Sequence, residues 1–186
     1  MVKLYMVRHG RQSAGFGESL DPGLDDLGRT QAEAVAKVLA PLGPLTILSS
    51  PLTRTRETAM PLSKIWKREP VLEEAVAEVP APAGLTLAGR SEWLGGFLAG
   101  RWPDVAPNLN AWRRRVVEKL LGIQEDSVIF SHFVAINAAF AYAMNDERVM
   151  AFSPTHTSVT IFETDGKQLR VLEKGEEAPL ARITVN

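Results

Sequence analysis

Two of the three histidines in this 186-residue chain stand directly after short apolar runs. In "KLYMVRHGRQS" the run Leu4 to Val7 stops at Arg8-His9-Gly10-Arg11, and in "SVIFSH" a similar run delivers Ser131-His132. A third run, "LTILSS", ends at Ser49-Ser50-Pro51 and is followed by Arg54 and Arg56. A strand that simply leaves the core for solvent would account for any one of these ends. Together they describe a rim that carries imidazoles, a reactive or proton-moving group, beside guanidinium ions, which bind anions through a planar fork of donors.

The elements that must position these residues follow from the hydrophobic pattern. Lys3 to Val7, "LTILSS" and "SVIFSH" have few polar interruptions, as expected of strands covered on both faces. Between them, "LDDLGRTQAEAVAKVLAPLG" predicts a helix capped by Asp25 or Asp26, with Leu27, Ala34, Val35 and Val38 as its apolar stripe. "PLTRTRETAMPLSKIWK" predicts a second helix, with Pro51 in its first turn and Pro61 as a point of kinking or interruption. "RSEWLGGFLAG", "NLNAWRRRVVEKLLG" and "FVAINAAFAYAM" predict further helices, the second burying Leu109, Trp112, Val116 and Leu120. "SVTIFETDGKQLRVLE" predicts a hairpin turning at Asp165-Gly166. Strands alternating with helices imply an α/β fold, a three-layer αβα sandwich with a mostly parallel, mixed sheet. Ligands of such sheets bind beyond the carboxyl ends of the strands, where His9, Ser50 and His132 all fall.

Composition narrows the function classes. A formal charge of -1 gives no footprint for nucleic acid or an anionic membrane. Cysteine is absent, which removes disulfides and thiolate metal sites and fits a cytoplasmic location. The longest apolar stretch, Phe133 to Met144, is too short to cross a bilayer and contains Asn137. No repeat or linker divides the chain, so residues 1–186 are expected to form a single domain, possible partners being a homo-oligomeric neighbour and a small substrate.

"VRHG", "SSPLTRTRETA" and "VIFSH", in this order and in these strand contexts, resemble the histidine phosphatase superfamily, the phosphoglycerate-mutase-like group. The resemblance covers nearly the whole chain. It implies a metal-independent, cofactor-free phosphatase that acts on small phosphorylated substrates through a covalent phosphohistidine at His9. Arg8, Arg54 and His132 would bind the phosphoryl group, and the charge of the two arginines would keep His9 neutral. The family's arginine falls at Arg54, and Arg56, on another face of the helix, is expected in solvent. The family's proton donor lies between the second helix and the later ones, where Glu73, Glu74 and Glu78 stand; position favours Glu78, with Glu74 next.

The chain departs from the family pattern in places. Arg11-Gln12-Ser13-Ala14 brings no asparagine, which leaves Gln12 or Ser13 as candidate phosphate donors. Phe133 stands where glycine is common after the late histidine, and its ring must either narrow the site or turn into the core. His156, after Ser153-Pro154-Thr155, is a candidate substrate contact or a loop residue without a role. A mutase, or a weakly catalytic phosphoryl-binding module, is the alternative to hydrolysis.

Overall fold

The computed structural model describes residues 1–178. Its first strand, β1 (Val2–Arg8), pairs parallel with β4 (Ser127–Ser131), which pairs parallel with β2 (Thr46–Ser49). A short β3 (Val71–Leu72) extends that side, and the hairpin β5 (Val159–Thr164) and β6 (Leu169–Glu173) closes the other with antiparallel pairing. The order β3-β2-β4-β1-β5-β6 is the mixed sheet expected. Gly166, at the hairpin turn, has φ +87°, a conformation that favours glycine.

Strand alternation divides the core into two. Leu4, Met6 and Ile129 face one side, where they pack with α4 (Pro107–Leu121) and α5 (Phe133–Ala143); Leu109, Trp112, Val116 and Leu120 of α4 are all buried there. Tyr5, Val7, Val128 and Phe130 face the other side, under α1 (Asp26–Leu39) and α2 (Thr53–Trp66). The remaining helix, α3 (Leu87–Leu98), buries Phe97 at the edge of the first cluster. Among the described residues, no helix is long and apolar enough to cross a membrane.

Two local expectations need correction. Asp25 does cap α1, accepting from the Gly28 N–H at 2.7 Å, but the stripe named from hydrophobicity is not the buried one. Gly28, Ala32, Val35, Ala36 and Leu39 are buried, whereas Leu27 and Val38 are 43% and 71% exposed. Close approach decides: a Cβ on Gly28 would stand 2.0 Å from the Arg11 carbonyl oxygen, and one on Gly10 2.6 Å from that of Gly28. The helix therefore presents small residues to the loop after β1. Pro61, for its part, lies inside an uninterrupted α2. Burial of Thr58, Ala59, Leu62 and Ser63 around it outweighs the lost backbone bond, a cost of about 3 kcal/mol in an isolated helix.

Candidate active site

Parallel register brings the strand ends level. Arg8 of β1 stands opposite Ser131 of β4, and Ser49 of β2 opposite Phe130. The His9 N–H donates to the Ser131 carbonyl at 3.0 Å, and the Ser50 N–H to that of Phe130 at 3.0 Å, so the ladder continues one residue beyond each strand. His9 is thereby fixed by backbone; His132, whose carbonyl accepts from the Ile136 N–H at 3.0 Å at the start of α5, lies beside it with ring centroids 5.2 Å apart.

The two ring nitrogens of His9 have different surroundings. Nδ1 lies 2.8 Å from the Gly10 carbonyl oxygen, which can only accept, so Nδ1 carries the proton. Nε2 is left with a lone pair, toward which the Arg54 Nε–H points at 3.3 Å. His9 is 3% exposed, and burial together with His132, Arg8 and Arg54 holds its pKa well below the usual imidazole range. The ring is neutral at physiological pH.

Thr58 connects this ring to its arginine. Its Oγ1 accepts from the Gly10 N–H at 3.0 Å and donates to the Arg54 carbonyl at 2.6 Å. Arg54 is buried, whereas Arg56, two residues on, is exposed, as helical geometry requires. The start of α2 is capped from outside: Asp21 accepts from the Thr53 N–H and hydroxyl at 2.8 and 2.7 Å, and its carboxylate lies 4.0 Å from Arg54.

Arg8 reaches across to the segment before β5. It donates to the Pro154 carbonyl at 2.8 Å, and its other terminal nitrogen lies 3.2 Å from His156 Nε2. Its guanidinium stacks 5.1 Å from the Phe133 ring, and burial lowers its pKa to about 10. His156 is therefore inside the site, its ring 5.8 Å from that of His9 and its pKa pushed down to about 3 by burial and by Arg8 and Arg11. The next residue, Thr157, has φ +58°, and its N–H donates to the Arg8 carbonyl at 3.0 Å. A β-branched residue in that region is strained, and the bond to Arg8 is among the contacts that hold it there, next to His156.

His132 is fully buried, with Nε2 2.8 Å from Ser50 Oγ. Glu78 is half-buried, its carboxylate accepting from the Val79 N–H at 2.9 Å and the Val134 N–H at 3.2 Å. Burial raises its pKa, against the opposing pull of those N–H groups, Arg54 and Arg8. The other acids of this segment are elsewhere: Glu73 pairs with Lys119 at 2.6 Å, and Glu74 is exposed.

Arg8, His9, Arg54 and Glu78 line a cavity of about 760 Å³ together with Gln12, Ser13, Phe133 and His156; His132, fully buried, is not on its lining. Ser13 is exposed and held by its backbone, its N–H donating to Gly23 at 2.9 Å. Arg11 pairs with Asp25 at 2.5 Å and is half exposed, at the mouth. Among the described residues, no group of three or more His, Asp or Glu side chains is placed to hold a metal ion.

Two contributors carry no signal in the sequence. Arg90 of α3 lines the cavity, its guanidinium 4.7 Å from the Phe16 ring, and its charge helps depress the pKa of Arg54. Asn137, buried in α5, accepts from the Ala151 and Phe152 N–H groups at 2.8 and 3.1 Å, tying down the chain that leads to His156. Three of the six buried side-chain polar atoms that lack a partner among the described residues, Arg8 Nε, Arg90 Nε and His132 Nδ1, belong to this site.

Comparison with known proteins agrees with this architecture. The family described as "Histidine phosphatase superfamily (branch 1)" matches residues 4–177. Glucosyl-3-phosphoglycerate phosphatase of Mycolicibacterium vanbaalenii is 47% identical over 64 residues, 32% of this chain and 28% of that protein. Phosphoserine phosphatase 1 of Hydrogenobacter thermophilus is 34% identical over 83 residues, 42% of this chain and 39% of that protein. The matched segments thus span less than half of either curated relative. Among solved structures, a mycobacterial glucosyl-3-phosphoglycerate phosphatase complexed with VO3 superimposes with a TM-score of 0.70 at 26% identity, covering 96% of this chain and 100% of that one. Phosphoserine phosphatase from Entamoeba histolytica, with 3-phosphoglyceric acid, shares the fold: its TM-score is 0.74 at 24% identity, over 95% of this chain and 98% of that one. Matched from the first strand through the closing hairpin, this chain belongs to the histidine phosphatase superfamily, branch 1.

Proposed function

We propose that the protein hydrolyses small phosphomonoesters, with His9 Nε2 as nucleophile. The observation that carries this reading is the state of the His9 ring. It is neutral, its proton is committed to Gly10, and its bare nitrogen opens toward a buried arginine. An imidazole so arranged is ready to attack an electrophile that Arg54 and Arg8 hold by its anionic oxygens.

The lone pair of Nε2 forms the N–P bond as the bond from phosphorus to the leaving oxygen breaks. Glu78 gives its proton to that oxygen, a role for which burial prepares it by favouring the protonated acid. A bound dianion offsets the pull of Arg8 and Arg54 on the carboxyl and favours protonation further. His132 Nδ1 is a buried ring nitrogen with no partner among the described residues, and it donates to a phosphoryl oxygen when Nε2 accepts from Ser50. His156 holds Arg8 in place, and Gln12 and Ser13 are further contacts for the substrate. The Gly10 carbonyl stabilises the positive charge on the phosphorylated ring. Water, its proton taken by Glu78, then attacks phosphorus, and the N–P bond breaks to regenerate neutral His9. Arginine and imidazole provide the charge stabilisation throughout, and the cysteine-free sequence fits work in the cytosol.

That relatives are phosphatases of glucosyl-3-phosphoglycerate and of phosphoserine supports hydrolysis of a phosphate ester. Assay of phosphate release from p-nitrophenyl phosphate and a panel of metabolite phosphates tests it. Turnover abolished by His9→Ala is expected; no release from any ester by the folded protein contradicts the reading.

A further inference from the structure

We infer that the leaving-group side of the cavity selects phosphomonoesters of apolar alcohols over those of sugars and polyols. The inference rests on the reading that the Arg8–Arg54 cradle takes the phosphoryl group, and it concerns what lies beside that cradle. Helix α3 sends a stripe of four-residue spacing, Arg90, Leu94 and Leu98, into the cavity. Its other side is already spoken for. Phe97 is buried in the core, and Trp93 stacks on it at 5.3 Å. A helix that is apolar on both sides is normally covered on both. Leu94 and Leu98 pack in part against the core cluster, and what the core leaves uncovered of them lines the cavity.

The facing wall is apolar as well. Phe133 packs against the core cluster and also lines the cavity, with the Arg8 guanidinium stacked 5.1 Å from its ring. Met150 lies on the same lining, as does Val134, a buried residue whose N–H is committed to Glu78. None of these side chains can donate a hydrogen bond, and the only acceptor among them is the weak thioether sulfur of Met150. A hydroxyl pressed against them loses its bonds to water without replacement, whereas a methylene gains by leaving water.

Arg90 marks where the polar part of the site ends. It lines the cavity together with Arg8 and Arg54, so its charge adds to theirs at the anion end. Leu94 and Leu98 follow along the helix in steps of roughly 6 Å each. The apolar wall is therefore long enough for a chain of several methylenes or one aromatic ring. A cavity of about 760 Å³ has room for such a group beyond the phosphoryl end.

Alkylphosphonates test this without turnover, because they present the same anion on a P–C bond that the mechanism cannot cleave. Calorimetric affinities would be measured for methyl-, butyl- and hexylphosphonate and for 2,3-dihydroxypropylphosphonate. Hexylphosphonate is expected to bind at least tenfold more tightly than methylphosphonate, with butylphosphonate between, and the dihydroxypropyl compound no better than methyl. Leu94→Asn and Leu98→Asn should flatten the dependence on chain length, and Leu98→Met should preserve it. Thermal melting identifies a variant that fails to fold, and the wild-type series decides the matter in that event. A flat series, or tightest binding of the dihydroxypropyl compound, overturns the inference. A steep series with no phosphate release from any ester would refute hydrolysis while leaving the selectivity in place. Phosphate release with a flat series would refute the selectivity alone.

Discussion

Replacing Glu78 by glutamine isolates proton donation from binding. Glutamine has the same shape, and its side-chain oxygen can still accept from the Val79 and Val134 N–H groups now 2.9 and 3.2 Å from the carboxylate. It cannot give up a proton to an alkoxide. General acid catalysis is worth about 10²–10⁴-fold, or roughly 2.7–5.4 kcal/mol of barrier. An alkyl phosphate should lose that much in kcat. p-Nitrophenyl phosphate, whose leaving group departs without protonation, should lose less than about tenfold on the same argument. The pH profile carries a second signature. Burial raises the Glu78 pKa, so the active acid form persists above the usual carboxylate range and is lost as pH rises through the raised value. That basic limb should vanish in Glu78→Gln. Stability moves in the matching direction. A carboxyl with a raised folded-state pKa contributes most below its unfolded value, and this is lost as pH rises, so Glu78→Gln should gain in melting temperature, relative to wild type, from pH 4 toward neutrality. Steady-state kinetics on the two esters, with melting curves across pH, check all three. Equal losses on both esters with an unchanged basic limb would make Glu78 a structural residue and refute its role as the acid.

The neutral histidines predict acid lability. Their folded-state pKa values are depressed, to about 3 for His156, so stability is full above about pH 6.5, the imidazole reference value, and falls as pH drops below it, by up to about 1.4 kcal/mol per unit for each ring that stays neutral. His156→Gln should make that fall shallower in urea titrations between pH 6.5 and 4; an unchanged slope would mean that the ring titrates alike folded and unfolded. Thr58→Val should cost about 1–3 kcal/mol, since it strips the buried Gly10 N–H of its acceptor, and Thr58→Ser should recover most of it; equal stability of all three in urea would show that the bond is dispensable. Dialysis against EDTA should leave turnover unchanged, because guanidinium and imidazole are assigned the charge stabilisation; loss restored by one divalent ion would contradict that assignment.

What was legible in the sequence was whatever depends on local pattern. Alternating Leu4/Met6 and Tyr5/Val7 fix a strand buried on both faces, and register then places Arg8, Ser50 and His132 at one rim. Helical spacing separates buried Arg54 from exposed Arg56. Of the acids considered, only Glu78 lines the cavity. What was not legible depends on how closely elements approach. The stripe on α1 was misplaced because hydrophobicity favours Leu27 and Val38, whereas the contact beneath Gly28 has no room for a Cβ. Pro61 reads as a break in isolation and is overridden by packing. Arg90 reaches the site only through the placement of α3 beside the cavity, and Phe133 both packs on the core and lines the cavity, a double role that only the stacked Arg8 reveals.

The claim on which the rest depends is that His9 forms a bond to phosphorus. Rapid mixing with excess p-nitrophenyl phosphate, quenching under basic conditions and peptide mass spectrometry test it directly. The account predicts one phosphoryl group on the peptide containing Arg8-His9-Gly10, stable to base, labile to acid and absent in His9→Ala. Turnover that survives in His9→Ala, or a phosphoryl group found on any other residue of the active wild-type protein, would contradict it.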